Sequence, residues 1–162
     1  MQSLTQRSLE ADQLRRHVQS FVRRFGLLAE DRTPCGAPLS PRDAHALMIV
    51  LERERAANPP CQNDLAIELG IDKSNVTRLV QKLVAAGRIE QVQSEADARA
   101  RMLRLTTKGR RLAESVEAAS HDRFREILTR IPAAQRKVVV GAMALLNNAL
   151  VEHAIAEVRH AL

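Results

Sequence analysis

Between Asp72 and Gly87 the chain reads DKSNVTRLVQKLVAAG, and the spacing of its apolar residues constrains everything around it. Val76, Leu79, Val80, Leu83 and Val84 fall at i, i+3, i+4, i+7 and i+8, which is one apolar stripe along a helix. A helix anchored by that stripe turns Ser74, Arg78 and Gln81 directly outward and carries Asn75, Thr77 and Lys82 on its flanks. These side-chain types read base edges in duplex DNA: Arg pairs with guanine, Gln or Asn with adenine, and Thr meets the thymine methyl.

The flanking residues give that helix a setting. Upstream, Gln62 or Asn63 is expected to cap a short helix that buries Leu65, Ala66 and Leu69, and Gly70 supplies the positive φ that ends it. Ile71 fills the elbow, and Asp72 or Ser74 caps the polar-faced helix. A short helix, a glycine turn and a second helix with a polar outer face form a helix-turn-helix. Downstream, Gly87 stops the second helix. Residues 88–93 and 101–106 are short runs rich in Ile, Val, Met and Leu, separated by the polar segment SEADARA. Leu103 and Leu105 alternate while Ile89 and Val92 do not, so a hairpin containing a bulge is expected, placed as a wing after the recognition helix.

Charge concentrates on the same stretch. From Lys73 to Arg111 there are ten Lys or Arg against three acids, while the whole chain of 162 residues carries a net +6, so the remainder is close to neutral. An acidic partner follows, and on charge alone nucleic acid and an anionic membrane surface both qualify. No stretch approaches the roughly 18 uninterrupted apolar residues of a membrane span, and the first residues lack the apolar core of a signal peptide. A cytoplasmic protein with no membrane partner is therefore expected. With no Trp, no Tyr and three Phe, the chain lacks stacking platforms for single strands, which leaves duplex as the nucleic acid.

The rest reads as helix. Leu14, Val18, Phe21, Val22, Phe25 and Leu28 predict a first helix over 8–28, followed by a Pro- and Gly-bearing loop. Ser40, Pro41 and Asp43 are a strong helix start, and Asn58-Pro59-Pro60 follows that helix, which is expected to reach Arg55. Thr106 or Thr107 starts a fifth helix, and Pro132 separates it from a last one over 133–160 whose apolar residues exceed a single stripe. The expected organisation is a mainly α chain with a small β-hairpin wing: an N-terminal dimerisation helix and loop (1–39), a winged helix-turn-helix (40–109) and C-terminal dimerisation helices (110–162). The terminal helices are expected to pack together and against a second copy.

At this point the residues resemble a known family, the MarR winged helix-turn-helix transcription regulators. The likeness is carried by LA-x-x-LG-I-x-K-S-x-V-T-R-L-V over Leu65 to Val80, by L-x-x-x-G over Leu83 to Gly87, and by the run of Asp97, Arg99, Arg101, Leu105, Thr106 and Gly109. The resemblance implies an obligate homodimer on a pseudo-palindromic duplex site and a ligand or redox sensor that commonly represses nearby genes. It puts Ser74, Asn75, Thr77, Arg78 and Gln81 on the major-groove helix and Arg99 at the wing tip, entering a minor groove whose concentrated negative potential attracts a guanidinium. Asp97 is then an organiser of the wing, since a carboxylate facing phosphate is repelled. Lys73, Lys82, Arg101 and Lys108 are candidate phosphate contacts, which position a protein without specifying sequence.

The signal is less legible. The family builds effector pockets near the end of the first helix and the start of the second, where Cys35, His45, Glu30 and Asp43 lie, with His17 and neighbouring arginines available for a ligand carboxylate. A small apolar or anionic organic ligand is the leading expectation, with no cofactor. A metal site at Cys35 and His45, with the acids or with His121 and Glu126, is the alternative; the spacing matches no closed ligand motif. Two cysteines without C-x-x-C spacing are expected as reduced thiols, and redox sensing at Cys35 or Cys61 lacks the tyrosines that peroxide sensors of the family use. An enzyme is not expected, because no nucleophile elbow, H-E-x-x-H or phosphate-cradling loop occurs. A protein-interaction adapter is the reading of a different class, disfavoured by the basic charge on the recognition helix and wing.

Overall fold

The computed structural model describes residues 4–28, 31–93 and 101–160. In chain order they form α1 (Leu4–Phe25), α2 (Pro41–Arg55), α3 (Gln62–Leu69), α4 (Lys73–Ala85), β1 (Ile89–Gln93), β2 (Arg101–Leu105), α5 (Thr107–Thr129) and α6 (Ala133–His160). Residues up to Ser120 make one compact unit and those from His121 onward a second.

Helix α2 begins as its sequence dictates. The Ser40 hydroxyl accepts the Asp43 backbone N–H at 3.1 Å, and Pro41 stands where no N–H is needed. Ala44, Leu47, Val50 and Leu51 then repeat at three- and four-residue steps and are buried. They meet Leu65 and Ala66 of α3, Val76, Leu79, Val80 and Leu83 of α4, Ile89 and Leu103 of the hairpin, and Ala113 and Val116 of α5 in one core. Gly70, at φ 62°, turns the chain from α3 into α4. Gly87, also at φ 62°, ends α4 with its N–H on Val84 O and the Arg88 N–H on Leu83 O, a closure that satisfies two terminal carbonyls.

Several expectations are corrected. Helix α1 starts earlier than residue 8 and ends at Phe25, because Gly26 takes φ 89° and breaks the ladder outright. Cys61, not Gln62 or Asn63, stands at the N-cap of α3, with its N–H donated to the Asp64 carboxylate at 2.9 Å. Val84 is 42% exposed; at about 100° per residue it sits about 90° from the centre of the stripe, at its edge. The hairpin pairs in unbroken antiparallel register from Ile89↔Leu105 to Gln93↔Arg101, without a bulge. Ile89 and Val92 do not alternate: Ile89 is buried, Val92 only half-buried, and Glu90, Gln91 and Gln93 are exposed. A short third edge, Cys61 bridged to Met102 with the Leu103 N–H on Pro60 O at 2.8 Å, ties the hairpin to the start of α3.

The second unit is dominated by α6. Val138, Val140, Leu145, Leu150 and Val151 are exposed around it. Among the described residues no helix is long and apolar enough to cross a membrane.

Candidate nucleic-acid interface

The interface is built on α4, and its first turn is organised by one carboxylate. Asp72 accepts the Asn75 backbone N–H at 2.8 Å, the Ser74 hydroxyl at 2.7 Å and the Asn75 side-chain amide. The Asn75 N–H, followed by the Ser74 and Asn75 side chains, lowers its pKa to about 2 from an ordinary 3.8. The side chains of Ser74 and Asn75 are thus held by the helix's own cap. Thr77 is half-buried, with its hydroxyl donating to Lys73 O at 2.7 Å and accepting from the Gln62 amide at 2.6 Å, which links α4 to α3.

Arg78 and Gln81 stand one turn further along, exposed on the outer face. Arg78 also lines a cleft of about 590 Å3 between Leu27, residues 40–43 at the start of α2, and Asn75, Leu79 and Lys82 of α4. Lys73 and Arg101 are exposed, at the start of α4 and of β2. Lys108 donates to Ala86 O at 2.9 Å across the end of α4. Lys82 is held from the other side of the cleft: its ammonium lies 2.6 Å from the carboxylate of Asp43, which is 5% exposed and has Arg88 at 3.9 Å. Asp97 and Arg99 lie outside the described residues, as does Glu30.

The base of the wing is braced from within. Thr106 accepts the Gly109 N–H at 3.0 Å and donates to Gly87 O at 2.7 Å, so the start of α5 and the end of α4 share one hydroxyl. Gly109 packs so closely on Arg88 that a Cβ there would lie 1.7 Å from the Arg88 carbonyl oxygen. Glu54 reaches from α2 to both elements: one oxygen accepts the Leu105 N–H at 3.1 Å and the other pairs with Arg110 at 2.6 Å.

His17, Cys35, His45 and Asp43 are expected near an effector or metal site. His17 and His45 are exposed on α1 and α2. Cys35 is half-buried against the core, its sulfur 3.0 Å from the hydroxyl of the buried Thr33, which also accepts the Ala37 N–H. Asp43 pairs with Lys82 instead. Among the described residues no group of three or more His, Cys, Asp or Glu side chains is arranged to hold a metal ion.

Asp43 and Glu54 as internal anchors were missed from the sequence, although a signal was present. Asp43, Leu47, Val50 and Glu54 follow one another at four, three and four residues, so both acids lie on the stripe that α2 buries.

This arrangement of helix, turn, helix and paired strands coincides with a family model for the MarR family, which matches residues 37–100. Over those residues the chain is similar to the MarR family. The chain is 29% identical over 87 residues to the uncharacterized HTH-type transcriptional regulator YdgJ of Bacillus subtilis, covering 54% of this chain and 53% of YdgJ. It thus spans about half the length of that curated relative. In fold, it is similar to a probable transcriptional regulator from Pseudomonas aeruginosa (TM-score 0.66, 24% identity, 84% of this chain and 98% of that one). It is also similar to Streptococcus pneumoniae FabT, solved in complex with DNA (TM-score 0.72, 21% identity, 88% and 98%). At these identities the two solved structures establish the architecture, and the chemistry must come from this chain's own side chains.

Proposed function

We propose that the chain is a homodimeric, sequence-specific duplex DNA-binding transcription regulator acting in the cytoplasm, a repressor released by a small-molecule effector. The observation that carries the reading is the outer face of α4. Arg78 and Gln81 are exposed there, on a helix whose opposite stripe is buried and whose first turn is locked by Asp72. A rigid helix carrying an arginine and a glutamine three residues apart matches the bidentate readout of guanine and adenine in a major groove. Lys73 and Arg101 flank that face and supply phosphate contacts; Arg99, at the wing, is the minor-groove residue of the same reading, with Asp97 organising the wing. The fold shared with FabT, which was solved on DNA, supports duplex as the partner.

Dimerisation is supported by the apolar side chains that one chain leaves in water, on α1 (Leu14, Phe21) and α6 (Leu145, Leu150, Val151). Two copies related by a twofold axis carry two α4 helices to half-sites about 34–36 Å apart, hence a pseudo-palindrome. For the signal, we infer an organic ligand near the loop that carries Cys35.

Fluorescence anisotropy with the intergenic duplex upstream of the gene tests the reading. Binding should weaken steeply with salt, and Arg78→Ala should cost about 1–3 kcal/mol on the specific site. Affinity indifferent to salt, or unchanged in Arg78→Ala, would overturn it. A thermal-shift screen of organic acids, hydrophobic compounds and divalent metals identifies the signal, because whatever binds the folded state raises its melting temperature.

A further inference from the structure

The cleft beside α4 contains an ion pair that bears on how this chain contacts DNA. Lys82 sits four residues after Arg78, on the flank of the recognition helix that turns toward α2 rather than on its outermost line. Its ammonium is exposed, yet it lies 2.6 Å from an Asp43 carboxylate only 5% exposed. An ordinary surface pair of lysine and acid is worth little, since both partners are solvated when apart. This pair differs because one partner cannot return to water. Departure of Lys82 to a phosphate would leave a desolvated carboxylate with Arg88 at 3.9 Å, and stranding a buried charge is costly.

We propose that Asp43 is a positioning and specificity-determining residue: it holds Lys82 off the phosphate backbone, so that binding by α4 depends more on the side chains that read bases. The inference rests on the DNA-binding reading above. Each lysine on a phosphate adds affinity for every sequence alike and steepens the salt dependence of binding by about 0.9 in the slope of log K against log salt concentration. Withholding one such contact lowers non-specific binding and widens the gap between the operator and other sites.

The test is a salt titration of the full-length protein on a mixed-sequence 30-base-pair duplex, which needs no knowledge of the operator. Asp43→Asn should steepen the slope by about 0.9 per chain engaged. Lys82→Gln alone should leave the slope at the parent value, and the double substitution should return it there. Glu52→Gln, which removes one acid from an exposed position on the same helix, controls for the change in net charge and should leave the slope unchanged. The proposal is overturned if Lys82→Gln alone flattens the slope by about 0.9, since Lys82 then already touches phosphate. It is equally overturned if Asp43→Asn leaves the slope unchanged or matches the Glu52→Gln control. Should Asp43→Asn fail to fold, the Lys82→Gln arm decides alone: a parental slope supports the proposal and a flattened one removes it. Failure of the DNA-binding reading itself is separate, and would be seen as a parent protein with no salt-dependent binding.

Discussion

Gly109 shows how much one missing methyl can decide. A side chain at this position would push into the Arg88 backbone, with the carbonyl oxygen 1.7 Å and its carbon 2.7 Å from the new Cβ, and backbone has no rotamer by which to escape. Gly109→Ala should therefore destabilise the fold by about 3 kcal/mol, the upper part of the range for overpacking. Gly141 offers the contrast, being helical with nothing within 4 Å of an added Cβ, so Gly141→Ala should be neutral or stabilising by up to about 1 kcal/mol. Urea unfolding of the two variants checks both, and equal effects would contradict the packing argument. Asp72 makes a pH prediction at the same scale. Its folded pKa, about 2, lies below the ordinary 3.8, so the unfolded state binds the proton first on acidification. The support it gives to α4 is complete above its ordinary pKa and is lost as pH falls through the folded value. Carboxyl NMR should place its midpoint near 2, and a midpoint at 3.8 or above would remove the cap from the account.

Among elements, the decisive joint is where α2, β2 and α5 meet at Glu54. Its side chain is 8% exposed while that of Arg110 is 43% exposed, so the two partners are not equivalent. Removing the arginine strands a buried carboxylate; neutralising the glutamate leaves an arginine that can turn to water. Arg110→Ala should thus cost about 3 kcal/mol and Glu54→Gln about 1 kcal/mol. The reverse order in chemical denaturation would show that Glu54 is solvated in the folded protein. The same joint marks the limit of reading by pattern. The stripe on α4 and the glycines at 70 and 87 were legible because helix periodicity and positive φ are local properties. The partners of Asp43 and Glu54 were not, because they come from residues 39 and 56 positions away and leave no periodic mark of their own. The expected bulge failed for a related reason: alternation reports burial on one face, and on this strand only Ile89 is fully buried.

At the scale of the whole molecule, the chain leaves water against surfaces that a folded protein ordinarily covers. Leu145 is 72% exposed and Val138 69% exposed on a helix of 28 residues. If a second copy covers them, Leu145→Asp should shift sedimentation at micromolar concentration from dimer toward monomer, with helical circular dichroism retained. It should also weaken operator binding, because two half-sites are then no longer engaged together. An unchanged sedimentation coefficient would place the dimer contact elsewhere.

The order of helices, the turn glycines, the wing and the outward Arg78 and Gln81 were determined by the sequence alone, since each follows from interactions within a few residues: an apolar repeat, a cap, a φ only glycine takes readily. Tertiary structure alone decided what those side chains have left to offer. It turned Thr77 toward Gln62, set Lys82 against a buried carboxylate and left Arg78 and Gln81 exposed. A charge count treats every lysine alike, whereas the burial of one distant aspartate gives a particular exposed lysine a partner that its neighbours lack.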